Sequence, residues 1–162
     1  MNKQIRRVVT GHDKKGDAIF ESDNIFDTVV IPTGDAAMAT IWTTATVPAD
    51  LNDETDGRER DAGITLKGGS VIRIVDMLPG ASSPMHRTYS IDYGIVLSGV
   101  IELELDNNVF KTLEQGDIIV QKGTIHKWRN PSADTICRIV FVLTEATPFK
   151  VNGIALLEYM AH

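Results

Sequence analysis

The sequence predicts an all-β fold, an antiparallel sandwich or barrel. Three observations predict it. Short runs of alternating apolar and polar residues recur along the chain, Gly, Asn, Asp and Pro separate them, and helical periodicity is thin. Closing such strands on one another also removes the open edges they would otherwise present.

Each element follows from local pattern. Arg6–Thr10, Ala18–Glu21 and Ala37–Thr43 read as strands. Asp50–Asp61 carries six acids in twelve residues and reads as a solvated loop. Clustered carboxylates suit a hard cation, but the run lacks the sixth-position glycine and twelfth-position glutamate of an EF-hand loop. Val71–Leu78 is a β-rich run closed by Pro79-Gly80. Val100–Leu105, V-I-E-L-E-L, sets Ile101, Leu103 and Leu105 on one face and Glu102 and Glu104 on the other. Asp106-Asn107-Asn108 then turns the chain into Val109-Phe110, which predicts a hairpin. Asp117–Gln121 lies between Gly116 and Gly123, and Cys137–Leu143 puts Cys137, Ile139, Phe141 and Leu143 on one face. In the tail, Ile154, Leu157 and Met160 have loosely helical spacing, so Val151–Met160 is expected to form a short helix.

A chain of 162 residues, 43% hydrophobic and 23% charged, suffices for one domain with its own core. Its net charge of −6, from 22 acidic and 16 basic residues, argues against a nucleic-acid partner. The one basic run, Lys3–Arg7, is short and expected to be solvated. No apolar stretch is long enough for a membrane span, and no apolar leader is apparent, so a cytoplasmic protein with a small-molecule partner is expected. A single cysteine, Cys137, excludes thiolate-rich metal sites and an intramolecular disulfide. Its apolar strand face predicts a buried, inert thiol.

The informative stretch runs from Gly80 to Asn130. It places His86 just before a strand pair and His126 just after another strand. Antiparallel neighbours can bring two such positions together. Neutral imidazoles are good ligands for Fe, Zn, Ni, Cu or Mn, and a carboxylate can complete a three-ligand face. Asp92 is the nearest carboxylate, at an even spacing from His86 that shares a face in an unbroken strand. His12 and His162 lie in the arm and at the terminus and are expected to be solvated. Arg87 alternates with His86 and is expected in a surface or interface ion pair, and Arg129 is expected to pair with surface acids. Gly94, Gly99, Gly116 and Gly123 are expected where a side chain would clash or where φ is positive.

These residues resemble the two motifs of the cupin superfamily. Gly80, five residues, His86, the spacer Arg87, Thr88 at the second histidine position, Asp92 at the glutamate position and Gly99 follow the first motif. Gly116, Gln121-Lys122-Gly123, His126 and Asn130 follow the second. The string HRTYSIDYGIVLSG also looks like a branch of short single-domain cupins, some of them labelled oxidoreductases in polyketide pathways. The resemblance implies a jelly-roll β-barrel over residues 66–145, an N-terminal strand-rich arm over 1–65, a tail over 146–162, and a homodimer in which the arm completes a neighbour's sheet. It implies a divalent metal (Fe, Zn, Mn or Ni) on His86, Asp92 and His126, which are also the candidate catalytic residues. Thr88, Tyr93 and Trp128 are the candidate substrate contacts. The implied function is a small metal-dependent enzyme carrying out an oxidation or lyase-type step on a small organic molecule. The alternatives are a metal-independent dehydratase or isomerase working by acid–base chemistry on the same residues, and a non-catalytic small-ligand-binding module.

Overall fold

Alternation becomes strand along most of the chain in a computed structural model, which describes residues 4–161. The strands are β1 (Ile5–His12), β2 (Ala18–Phe26), β3 (Val29–Val30), β4 (Ala36–Thr44), β5 (Ser70–Met77), β6 (His86–Arg87), β7 (Ser90–Ser98), β8 (Val100–Glu104), β9 (Phe110–Glu114), β10 (Ile118–Lys122), β11 (Lys127–Arg129), β12 (Cys137–Glu145), β13 (Lys150–Val151), β14 (Ile154–Ala155) and β15 (Tyr159–Met160). A six-stranded sheet in the order β10-β7-β12-β5-β4-β3 faces a three-stranded sheet, β11-β8-β9. Their pairings are antiparallel, as in a jelly roll.

The core lies between these sheets. Val75, Met77, Val96, Cys137 and Ile139 come from the large sheet, and Ile101, Leu103 and Trp128 from the small one. Burying a side chain such as Ile101 or Ile139 contributes about 1.5–3 kcal/mol. The expected β8–β9 hairpin forms, and Asn107 and Asn108 take positive φ in its turn (60° and 56°). Gly94 lets β12 approach β7, because a Cβ there would sit 2.7 Å from Ile119 and 2.9 Å from Phe141. Cys137 is fully buried, and burial pushes its thiol up to about 11, with Asp76 adding to the effect.

Two sequence expectations need correction. Val151–Met160 is not helical: β13 and β14 form a small hairpin, and β15 pairs with β6. Asn152 and Gly153 both have positive φ (51° and 82°), so Asn-Gly turn chemistry overrides the loose helical spacing. The basic N-terminal run is also not wholly solvated. Arg7 is 8% exposed, stacks over Trp42 and makes a bidentate pair with Asp56 at 2.6 and 2.7 Å. Lys3 of that run, and His162, lie outside the described residues.

The Arg7–Asp56 pair pins the acidic loop to the β1–β2 hairpin. Arg7 holds the Asp56 carboxyl down from 3.8 to about 2, against the opposing effect of burial. A depressed carboxyl stabilises the fold above its unfolded value, and that stabilisation disappears as pH falls through the folded value. Asp56 is 41% exposed on its side chain, so solvent screens much of the effect. Asp56→Asn is expected to cost about 1 kcal/mol at neutral pH. The cost should vanish as pH drops from 3.8 towards about 2. Paired thermal melts of the two proteins across this range test it, and a pH-independent difference would contradict it.

Candidate active site

The site is built where the barrel closes. The chain before β6 runs antiparallel to the chain leading into β11, with bridges at Ser82–Arg129 and His86–His126. His86 N–H donates to the His126 carbonyl at 2.8 Å, and His126 N–H donates to the His86 carbonyl at 2.9 Å. Directly paired residues share a face. Their rings accordingly lie 4.1 Å apart, centre to centre, at a tilt of 51°. Trp128 continues the row, edge-on to His126 at 5.9 Å and to Phe141 at 5.4 Å. His126 is buried and His86 half-buried.

Both imidazoles are oriented by main-chain carbonyls. His86 Nδ1 lies 2.9 Å from the Pro84 carbonyl, and His126 Nδ1 lies 3.0 Å from that of Thr124. A carbonyl only accepts, so each Nδ1 carries a proton, and Nε2 is the ring nitrogen left to meet a ligand. The Gln121 amide lies 2.8 Å from His126 Nδ1. Turning that amide over places Oε1, otherwise buried and without a partner, on the Nδ1 proton. Burial, reinforced by His86, pushes His126 down to about 3, so it stays neutral.

Asp92 shares this interior. On β7, Ser90, Asp92, Gly94 and Val96 point inward. Asp92 is 6% exposed and pairs across strands with Gln121. Its Oδ1 has no hydrogen-bond partner. Burial raises its pKa above the usual carboxylate range, while Ser90, His86 and Arg73 work in the opposite direction. Thr88 is buried and hydrogen-bonds Ser90 at 2.9 Å, which extends a polar row from Thr88 through Ser90 to Asp92.

The candidate residues therefore separate. His86, His126, Asp92, Thr88 and Trp128 all belong to the interior. Tyr93 does not: it is 42% exposed on the outer face of β7, because residues adjacent to Asp92 alternate away from it. Among the described residues Arg87 makes no ion pair, and instead donates to the Leu157 carbonyl at 3.2 Å. Arg129 does pair with an acid, Glu102. Asn130 is buried and staples the chain, donating to the carbonyls of Met77 (3.0 Å) and Thr135 (2.8 Å).

Arg73 and Ser90 belong to the site although the motif spacing singles out neither. Arg73 is in phase with Val71, Val75 and Met77 on the inner side of β5, and pairs across to Phe141. A charge in the core phase of a strand was the available signal. Gln121 and Ser90 share the face of Asp92 and were readable by the same alternation.

The donor set fits a metal in part. Two imidazoles with Nδ1 tied back to carbonyls are suited to hold a divalent ion through Nε2. Yet among the described residues no group of three or more His, Cys, Asp or Glu side chains is arranged to hold one. Thr88, at the second histidine position, supplies only a hydroxyl.

Residues 73–143 match the family described as Cupin domain. A cupin-domain-containing oxidoreductase, fogC, of Aspergillus ruber is 36% identical over 163 residues, covering 97% of this chain and 80% of that protein. The chain belongs to the cupin superfamily. This cupin is also 42% identical over 155 residues to phomopsin biosynthesis cluster protein C' of Diaporthe leptostromiformis, covering 91% of the chain and 82% of the relative. Among solved structures, the Schizosaccharomyces pombe Cnp3 cupin domain superposes with a TM-score of 0.51 at 10% identity, covering 90% of this chain and 89% of that one. That likeness concerns the fold alone.

Proposed function

We propose that this cupin is an enzyme that moves protons on a small organic molecule held inside the barrel, as in a dehydration or isomerisation. The observation that carries this reading is Asp92: a buried carboxyl on the inner face of β7 with one oxygen unpartnered, in the same interior as two imidazoles whose Nδ1 atoms are tied to main-chain carbonyls. A desolvated carboxyl retains its proton to higher pH than usual and can donate it. His86 is the half-buried imidazole and is assigned the accepting role. His126, permanently neutral, orients the substrate by accepting a hydrogen bond.

A second reading has its own support. The carbonyl-tied Nδ1 atoms favour His86 and His126 as ligands of a divalent metal, and the Aspergillus ruber relative is named an oxidoreductase. A metal bound there would supply Lewis acidity or redox chemistry.

Solvent exchange separates the two. Small enolisable carbonyl compounds are incubated with the full chain in deuterium oxide, and loss of the α-proton signal is followed by NMR. Exchange that persists after chelation, in protein with no metal by elemental analysis, is the expected result. Exchange that disappears with chelator and returns with Fe(II), Mn, Zn or Ni would replace the first reading with the second. No exchange under either condition sinks the proton-transfer reading.

A further inference from the structure

We propose that Arg73 makes this site selective for organic acids, by holding the substrate carboxylate inside the barrel. The inference rests on the interior being the substrate site.

The position of Arg73 is unusual for a charged residue. Its strand neighbours in phase, Val71, Val75 and Met77, are all buried core. An arginine cannot discard its charge, so it must find compensation when water is removed. Here that compensation is incomplete. Its Nη2 donates to two neutral carbonyls of the loop before β5, Gly63 at 2.9 Å and Ile64 at 2.7 Å. Its Nε is buried and has no partner. Among the described residues no carboxylate lies in salt-bridge contact with it. The acid nearest in electrostatic effect is Asp92, whose burial disfavours its charged form.

Arg73 is therefore a half-buried cation with an unused N–H, on the same inner sheet face as Asp92. A carboxylate matches it in charge and in hydrogen bonding, and an arginine is the side chain best shaped to hold one. The surroundings fit the rest of such a molecule. Phe141, which pairs with Arg73, and Trp128 offer aromatic surface. A cleft of about 470 Å³ opens between Ile64–Thr65, Arg87–Thr88 and Glu158–Met160, next to the Ile64 carbonyl that Arg73 holds. Arg73 itself lies outside the lining of that cleft, and a larger groove of about 760 Å³ runs along the outer face past Arg6, Asp76 and Arg138; neither is lined by an imidazole.

The test compares acids with their neutral amides on the intact chain. Benzoate against benzamide, and butyrate against butyramide, are titrated by calorimetry. At least one acid is expected to bind about tenfold or more tightly than its amide, the scale of a charge-assisted hydrogen bond. Arg73→Gln is expected to bring that ratio close to one, and Arg73→Lys to retain part of it. If Arg73 only anchors the loop, its loss changes both partners of a pair alike and leaves the ratio intact, which overturns the proposal. Should Arg73→Gln fail to fold, the wild-type ratio and Arg73→Lys still decide: no acid preferred over its amide overturns it. Binding is read without turnover, so a failed exchange assay with a surviving acid preference removes the proton-transfer chemistry and leaves this assignment standing.

Discussion

Asp76→Ala is expected to destabilise the protein by about 3–5 kcal/mol, the scale found when one partner of a buried charge pair is removed. Asp76 has no exposed surface, although it sits near the end of β5 on the side away from the core. It accepts two hydrogen bonds from Arg138 on β12, at 2.6 and 2.7 Å, and one from Thr28 at 2.8 Å. Arg138 is itself only 12% exposed on its side chain. Deleting the carboxylate removes the two hydrogen bonds it accepts from that guanidinium and frees the segment that leads into β3. The pair needs a double comparison, because a well-packed apolar pair can replace a buried ion pair without loss. Asp76→Leu with Arg138→Met is expected to recover much of the stability lost in Asp76→Ala. Urea unfolding of the wild type and both variants checks this. A single-variant loss below about 1 kcal/mol would mean that water screens the pair as at an open surface.

Asp92→Asn is expected to behave in the opposite way: more stable, and nearly inactive. Because the folded-state pKa of Asp92 is raised, the fold binds its proton more tightly than the unfolded chain does. The resulting destabilisation is absent below the unfolded value and sets in as pH rises through the folded one. An amide stays neutral throughout, so its advantage should appear at neutral pH and fade in acid. The same substitution removes the transferable proton, and deuterium exchange into a carbonyl probe is expected to fall by about 10²- to 10⁴-fold. Melting curves at acid and neutral pH, with exchange rates on the same samples, provide the check. Full activity in Asp92→Asn would remove Asp92 from the chemistry. A lowered melting temperature at neutral pH would mean that its carboxylate holds the fold together.

Much of the barrel was legible because each core strand buries one face. V-I-E-L-E-L became β8 almost as written, and the alternation in Cys137–Leu143 became the inner face of β12, which extends to Glu145. Motif spacing singled out His86 and His126, and the structure joins them directly. The failures have local causes. Tyr93, a candidate substrate contact, lies outside because the alternation that turns Asp92 inward turns it outward. Arg73 was missed because its run reads as one continuous β-rich segment, in which the phase of a single charge attracts little notice. Arg7 was assigned to solvent because its cover, Asp56, is 49 residues away. The tail was misread because a weak helical spacing outweighed the Asn152-Gly153 turn signal.

The mutual main-chain bonds of His86 and His126 join positions 40 residues apart in the chain. Contacts of that separation form only after the loop-closure entropy of the intervening chain has been overcome. Between the two histidines lie β7 to β10, which must find their places in both sheets first. The facing imidazoles are therefore a product of long-range sheet pairing and not of local sequence.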